Sequence, residues 1–117
     1  MARAATTSDP FNAIAEPRRR QILDLLAQGE LPVGDVASAL DLEQPQASKH
    51  LKVLKEVGLV TVREDGRQRV YRLNGLPLKV IYDWVTNYER TWNARLDALD
   101  DALQQLKTEE NDDAGSR

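Results

Sequence analysis

Between Pro32 and Leu73 the hydrophobic period changes from helical to alternating across a single glycine, and that order restricts the fold more than any other feature. Val33, Val36, Ala37 and Leu40 fall at helical spacing, so Pro32 to Leu40 is predicted as a short helix. Asp41-Leu42-Glu43 interrupts it, and Gln44 to Val57 resumes the period. On a wheel of about 100° per residue, Ala47, Leu51, Leu54 and Gly58 fall within an arc of about 40°, an apolar stripe, and Gly58 stops the helix. Leu59 to Arg63 and Gln68 to Leu73 then read as two strands around Asp65-Gly66. That dipeptide predicts a hairpin with a type I′ turn and its tip near residues 65 and 66. A short helix, a tight turn, a second helix and a hairpin make a winged helix-turn-helix, a mainly α fold with a small β-hairpin.

The flanks complete the domain. Asp9-Pro10, with Phe11, Ile14 and Ala15, reads as a short capped helix, and Pro17 opens a second one through Ile22, Leu23 and Leu26 to a stop at Gly29. From Leu78, the positions Leu78, Ile81, Val85, Tyr88, Trp92, Leu96, Leu99, Leu103 and Leu106 alternate steps of three and four, with one stutter. They predict a single long helix with a coiled-coil-like seam. The expected organisation is a disordered stretch over 1–8, the winged helix-turn-helix over 9–75, a dimerisation helix over 76–108 in the same compact domain, and a disordered acidic tail over 109–117.

Charge is uneven along the chain. The total of 16 Lys and Arg against 19 Asp and Glu gives a net charge of -3, which does not advertise a polyanion partner. Residues 48–75, however, carry seven basic and three acidic side chains, a net +4, whereas residues 76–117 carry five basic and nine acidic, a net -4. One segment is therefore suited to an anion and the other is not. The chain has no Cys, which excludes disulfides, thiolate metal sites and Cys nucleophiles. It also has no apolar run of membrane-spanning length, so a cytoplasmic protein without membrane contact is expected.

The face of Gln44 to Val57 opposite the stripe carries Gln46, Lys49, Lys52 and Val53, with Ser48 and His50 on its flanks. Gln bonds adenine bidentately, Lys reaches guanine acceptors, and a hydroxyl suits a base or a phosphate. In an isolated helix such residues are an ordinary solvated face. A neighbouring hairpin bearing Arg63, Arg67, Gln68 and Arg69 turns the reading toward double-stranded DNA, with the wing along the phosphates. The same charges would also keep an edge hairpin soluble. Arg18, Arg19 and Arg20 point in different directions around one helical turn and read mainly as fold-stabilising, or as peripheral phosphate contacts.

Three blocks carry a family resemblance: Ala15-Glu16-Pro17-Arg18-Arg19-Arg20-Gln21-Ile22-Leu23, the run from Gln46-Ala47-Ser48-Lys49-His50-Leu51 to Gly58-Leu59-Val60, and Gly66-Arg67 to Tyr71-Arg72-Leu73. The chain resembles the ArsR family of bacterial winged-helix repressors over about residues 11 to 106. The resemblance implies a homodimeric repressor on an inverted-repeat operator, usually near its own promoter. The recognition-helix set is then Gln44, Gln46, Ala47, Ser48, Lys49, His50 and Lys52.

Metal-sensing members carry two thiolates where this chain has Pro32 and Gly34, and no His lies in residues 76–117 for the alternative site. No metal or cofactor is therefore expected, and Asp97, Asp100 and Asp101 read as solvated. An unidentified small molecule or protein remains open as effector. Ser48 and His50 diverge by about 200° on a helix and make no nucleophile and base pair, so an enzyme is not expected. The C-terminal seam needs a covering surface. A second copy is expected through Phe11, Ile14, Val85, Tyr88, Trp92, Leu96, Leu99 and Leu103. The rival class is a winged-helix protein-interaction module, with the acidic last helix as its working face.

Overall fold

The computed structural model describes residues 9–115, so the expectation for residues 1–8 falls outside them. In chain order the elements are α1 Pro10–Ala15, α2 Pro17–Leu26, β1 Leu31–Pro32, α3 Val33–Ala39, α4 Gln44–Glu56, β2 Val60–Asp65, β3 Gln68–Leu73, α5 Leu78–Thr86 and α6 Glu89–Gly115. Two helix starts rest on a proline in the first turn and an acidic cap before it. Asp9 accepts from Phe11 N–H at 2.9 Å, and Glu16 accepts from Arg18 N–H at 3.2 Å.

Apolar side chains from α1 to α4 and the sheet make one core: Ala13, Ile22, Leu23, Leu26, Val36, Ala37, Ala47, Leu51, Leu54, Leu59, Val60 and Tyr71. The stripe read from α4 is its centre, since Ala47, Leu51 and Leu54 are each 0% exposed. Val53, placed on the outer face by the wheel, instead packs partly against this core.

The sheet has the order β1-β3-β2 and is antiparallel throughout. Strand β1 was not anticipated. It has only two residues, one of them proline, which leaves no alternation to detect and suits an edge position. It takes Pro32 from the predicted third helix, so α3 begins at Val33. The hairpin tip also differs by one residue. Asp65 pairs with Gln68, which leaves Gly66-Arg67 as the two-residue loop. Gly66 has φ +64° and Arg67 does not have positive φ, so the left-handed residue is the first of the loop alone. That is the type II′ pattern, not type I′.

The two helices of the helix-turn-helix end alike. After α4, Leu59 N–H donates to Leu54 O at 2.9 Å and Gly58 N–H to Lys55 O at 3.0 Å, with Gly58 at φ +82°. After α3, Leu42 N–H donates to Ala37 O at 2.9 Å and Asp41 N–H to Ser38 O at 3.3 Å, with Asp41 at φ +55°. Both are Schellman closures, but the one inside the helix-turn-helix uses a residue with a Cβ where glycine is the unstrained choice.

The C-terminal part corrects three expectations. The chain divides into two compact units, Met1–Tyr82 and Asp83–Arg117, instead of one. The single long helix is broken at Asn87 and Tyr88, whose N–H groups bond Trp84 O and Val85 O at i−3 spacing. There the Thr86 hydroxyl donates to Asp83 O at 2.7 Å, competing with the regular ladder beside the stutter in the seam. The acidic stretch expected to be disordered continues α6 through Gly115. No proline or glycine interrupts residues 108–114, so nothing local ends the helix.

Candidate nucleic-acid interface

The outer face of α4 presents Gln44, Gln46, Ser48, Lys49 and Lys52 to solvent. Its first turn is fixed locally: Gln46 Oε1 accepts from Glu43 N–H at 3.3 Å, half of a capping box. The carboxamide oxygen keeps a second lone pair and the amide both its hydrogens, so a bidentate contact to a base remains available. Ala47 is a correction. The family resemblance places it with the recognition residues, yet at 0% exposure its side chain belongs to the core.

His50 is half-buried and feels the charges of Glu16, Arg18 and Arg19 at the start of α2. Burial holds its pKa below the ordinary histidine value, Arg19, Arg18 and Lys49 push the same way, and Glu16 opposes them. The ring is therefore neutral at neutral pH and available as a hydrogen-bonding group, not as a cation.

On the wing, Arg67 and Gln68 are exposed at and beside the hairpin tip, and Arg69 faces its cross-strand partner Glu64 at 3.6 Å. Arg63 is differently placed. Its guanidinium forks onto Glu30, with Nε to Oε1 at 3.2 Å and Nη2 to Oε2 at 2.6 Å, and Nη1 lies 3.6 Å from Asp65. The bond from Arg63 lowers the Glu30 carboxyl pKa, aided by the charge of Arg72. Arg63 thus ties the wing to the residue before β1, and its charge is already answered. Neither Glu30 nor Asn74 was singled out in the sequence. Asn74 Nδ2 donates to Gly58 O at 2.8 Å, and its own N–H to Leu59 O at 2.8 Å, holding the end of α4 to the end of the sheet. Such contacts join residues far apart in the chain and leave no local signature.

The expected pairing surface falls into two parts. In the first unit, Phe11 is half-buried and Ile14 packs partly against its own core. In the second, Val85 is half-buried, whereas Tyr88, Trp92, Leu96, Leu99 and Leu103 are 47, 44, 60, 56 and 50% exposed, and Leu106 extends the row. Trp84 and Tyr88 meet edge to face at 5.5 Å. Among the described residues no three His, Cys, Asp or Glu side chains gather as a metal site, and no helix is long and apolar enough to cross a membrane.

Known proteins share this fold and sequence pattern. The family described as "Bacterial regulatory protein, arsR family" matches residues 16–62. The chain is 36% identical over 78 residues to the transcriptional repressor SdpR of Bacillus subtilis, covering 67% of this chain and 87% of that one. It is 40% identical over 86 residues to the HTH-type transcriptional regulator Rv2034 of Mycobacterium tuberculosis, covering 74% and 78%. A solved structure from Mycobacterium bovis, a homodimeric winged helix-turn-helix DNA-binding domain, superposes with a TM-score of 0.57 at 37% identity, covering 74% of this chain and 78% of that one. With its winged helix-turn-helix fold and this degree of identity, the chain belongs to the ArsR family of bacterial regulatory proteins.

Proposed function

We propose that this chain is a homodimeric, sequence-specific DNA-binding repressor of transcription that works in the cytoplasm on an inverted-repeat operator, its own promoter included. The observation that carries the reading is the outer face of α4. Gln44, Gln46, Ser48, Lys49 and Lys52 project from a helix whose other face is fully occupied by the core, and the cationic wing lies on the same basic segment. Gln46 and Lys49 read base edges in the major groove, Ser48 and Lys52 support them, and Arg67, Gln68 and Arg69 follow the backbone. The similarity to SdpR, named a repressor, and to the homodimeric Mycobacterium bovis domain supports repression and pairing.

A twofold dimer sets two recognition helices about one DNA turn, roughly 34 Å, apart. Pro32 and Gly34 occupy the positions of the family's thiolates and supply no ligand there, so an effector, if one acts, is read as a small organic molecule or a partner protein. Fluorescence anisotropy of the full chain with a duplex from upstream of its own coding sequence, against an unrelated duplex, tests the proposal. Salt-sensitive binding that favours the upstream duplex is expected. Equal or absent binding to both at low ionic strength refutes it and favours a protein-interaction module.

A further inference from the structure

Arg18, Arg19 and Arg20 start α2, and each donates to main-chain carbonyls at the end of another helix. Arg19 reaches Ala13 O at 2.6 Å with Nε and Asn12 O at 3.1 Å with Nη2, and Arg20 Nη1 reaches Ile14 O at 2.6 Å and Ala15 O at 3.4 Å. Those two close the end of α1. Arg18 points elsewhere: its Nη1 donates to Leu40 O and to Gln21 Oε1, both at 3.1 Å.

Leu40 is the last residue before Asp41, where the chain reverses between α3 and α4. The Schellman closure satisfies the carbonyls of Ala37 and Ser38, and Leu40 N–H takes that of Val36. The Leu40 carbonyl lies beyond these bonds, and Arg18 supplies a charge-assisted donor at the negative end of α3. Asp41 is held in a left-handed conformation that favours glycine, so the direction of α4 depends on a strained joint. Arg18 braces that joint from a different element, and Gln21, one turn along α2, fixes the arginine itself.

We infer that Arg18 is a positioning residue for the recognition helix: it locks the α3–α4 turn through Leu40, and so sets the angle at which α4 enters the groove, without touching DNA. The inference rests on the DNA-binding reading above. A contact to phosphate and a brace on the turn predict different losses, because a phosphate contact weakens all sequences and lowers the salt slope, whereas a misaligned helix loses discrimination at an unchanged slope.

The test titrates wild type, Arg18→Gln, Arg20→Gln and Gln21→Ala against the upstream and the unrelated duplex over a range of salt. Arg18→Gln is expected to lose about threefold to tenfold in preference for the upstream duplex, with its salt slope intact, in line with one lost charge-assisted bond. Arg20→Gln removes the same charge from the same turn and is expected to keep the wild-type preference. An Arg18→Gln protein whose slope falls by about one, with both duplexes equally weakened, overturns the inference in favour of a phosphate contact. Wild-type preference in Arg18→Gln overturns it outright. Should Arg18→Gln lose its cooperative thermal transition, Gln21→Ala carries the test, with about a twofold loss of preference expected and unchanged preference contradicting it. Failure of the wild type to prefer the upstream duplex would instead refute the DNA-binding reading itself, before any variant is compared.

Discussion

Helices α4 and α6 are both amphipathic, and they differ in where the apolar side goes. In α4 the stripe of Ala47, Leu51 and Leu54 is wholly enclosed by its own unit, which frees the polar side for an external partner. In α6 the row of Trp92, Leu96, Leu99, Leu103 and Leu106 stays 44 to 61% exposed along a helix of 27 residues. A stripe that finds its partner inside the protomer builds a core, and one that does not leaves an exposed apolar row. On the proposed reading, the same hydrophobic period serves DNA binding in the first unit and pairing of two chains in the second.

The largest expected effect separates these two fates. Leu51→Ala should lower unfolding stability by about 2 to 5 kcal/mol in denaturant titrations, because it empties a fully enclosed site. Leu96→Asp with Leu99→Asp should leave the first unit's unfolding transition in place but convert the dimer to a monomer in sedimentation equilibrium. If Leu51→Ala proved harmless, or the double variant still sedimented as a dimer, the contrast between the helices would not stand.

Next in size is the free side of α4. Lys49→Ala should weaken binding to the upstream duplex by about 1 to 3 kcal/mol in gel-shift titrations, with little change in thermal stability. On the wing, Arg67→Gln should lower the log-log salt slope by about 0.9, the share of one phosphate, whereas Arg63→Gln should leave the slope unchanged and loosen the hairpin, since Arg63 is engaged with Glu30. A smaller slope for Arg63→Gln would mean that its fork onto Glu30 opens on DNA.

Two smaller effects sharpen the account of the first unit. Asp41→Gly should raise stability by less than about 1 kcal/mol, as the left-handed strain is relieved and partly offset by backbone entropy. A Tm below wild type would show that the Asp41 side chain contributes more than its backbone strain removes.

The smallest effect is a dependence on pH from His50. Its pKa is depressed in the folded chain, chiefly by burial and then by Arg19, so as pH falls through about 6.5 the unfolded state takes up the proton first. Stability should therefore fall over that range and level off once the folded ring is protonated as well. His50→Gln should flatten this part of the Tm profile, and an unchanged profile would assign it to other groups.

Much of the first unit was legible in the sequence, because its signals are local. Pro10 and Pro17 start helices, Gly58 stops one, and the spacing of Ala47, Leu51 and Leu54 names the buried side of α4. Hidden features depended on distant residues or on fine competition. The fork of Arg63 onto Glu30 and the bonds of Asn74 to the end of α4 join separate segments. The break at Asn87 accompanies one local bond, from the Thr86 hydroxyl to Asp83 O, inside an otherwise continuous pattern. The tip at Gly66 shifts by one residue because Asp65-Gly66-Arg67 fits either a I′ or a II′ loop, and cross-strand pairing of Asp65 with Gln68 selects the second. Ala47 shows two signals in conflict: its motif places it among contact residues, whereas its position on the wheel places it inside, where it is found.

In the proposed complex two protomers pair, and each presents one α4 to the DNA. Hydroxyl-radical footprinting of the full chain on the upstream duplex tests it most directly. Two symmetric protected patches with centres about 10 base pairs apart are expected, one for each recognition helix. A single patch, or uniform protection along the duplex, would contradict it.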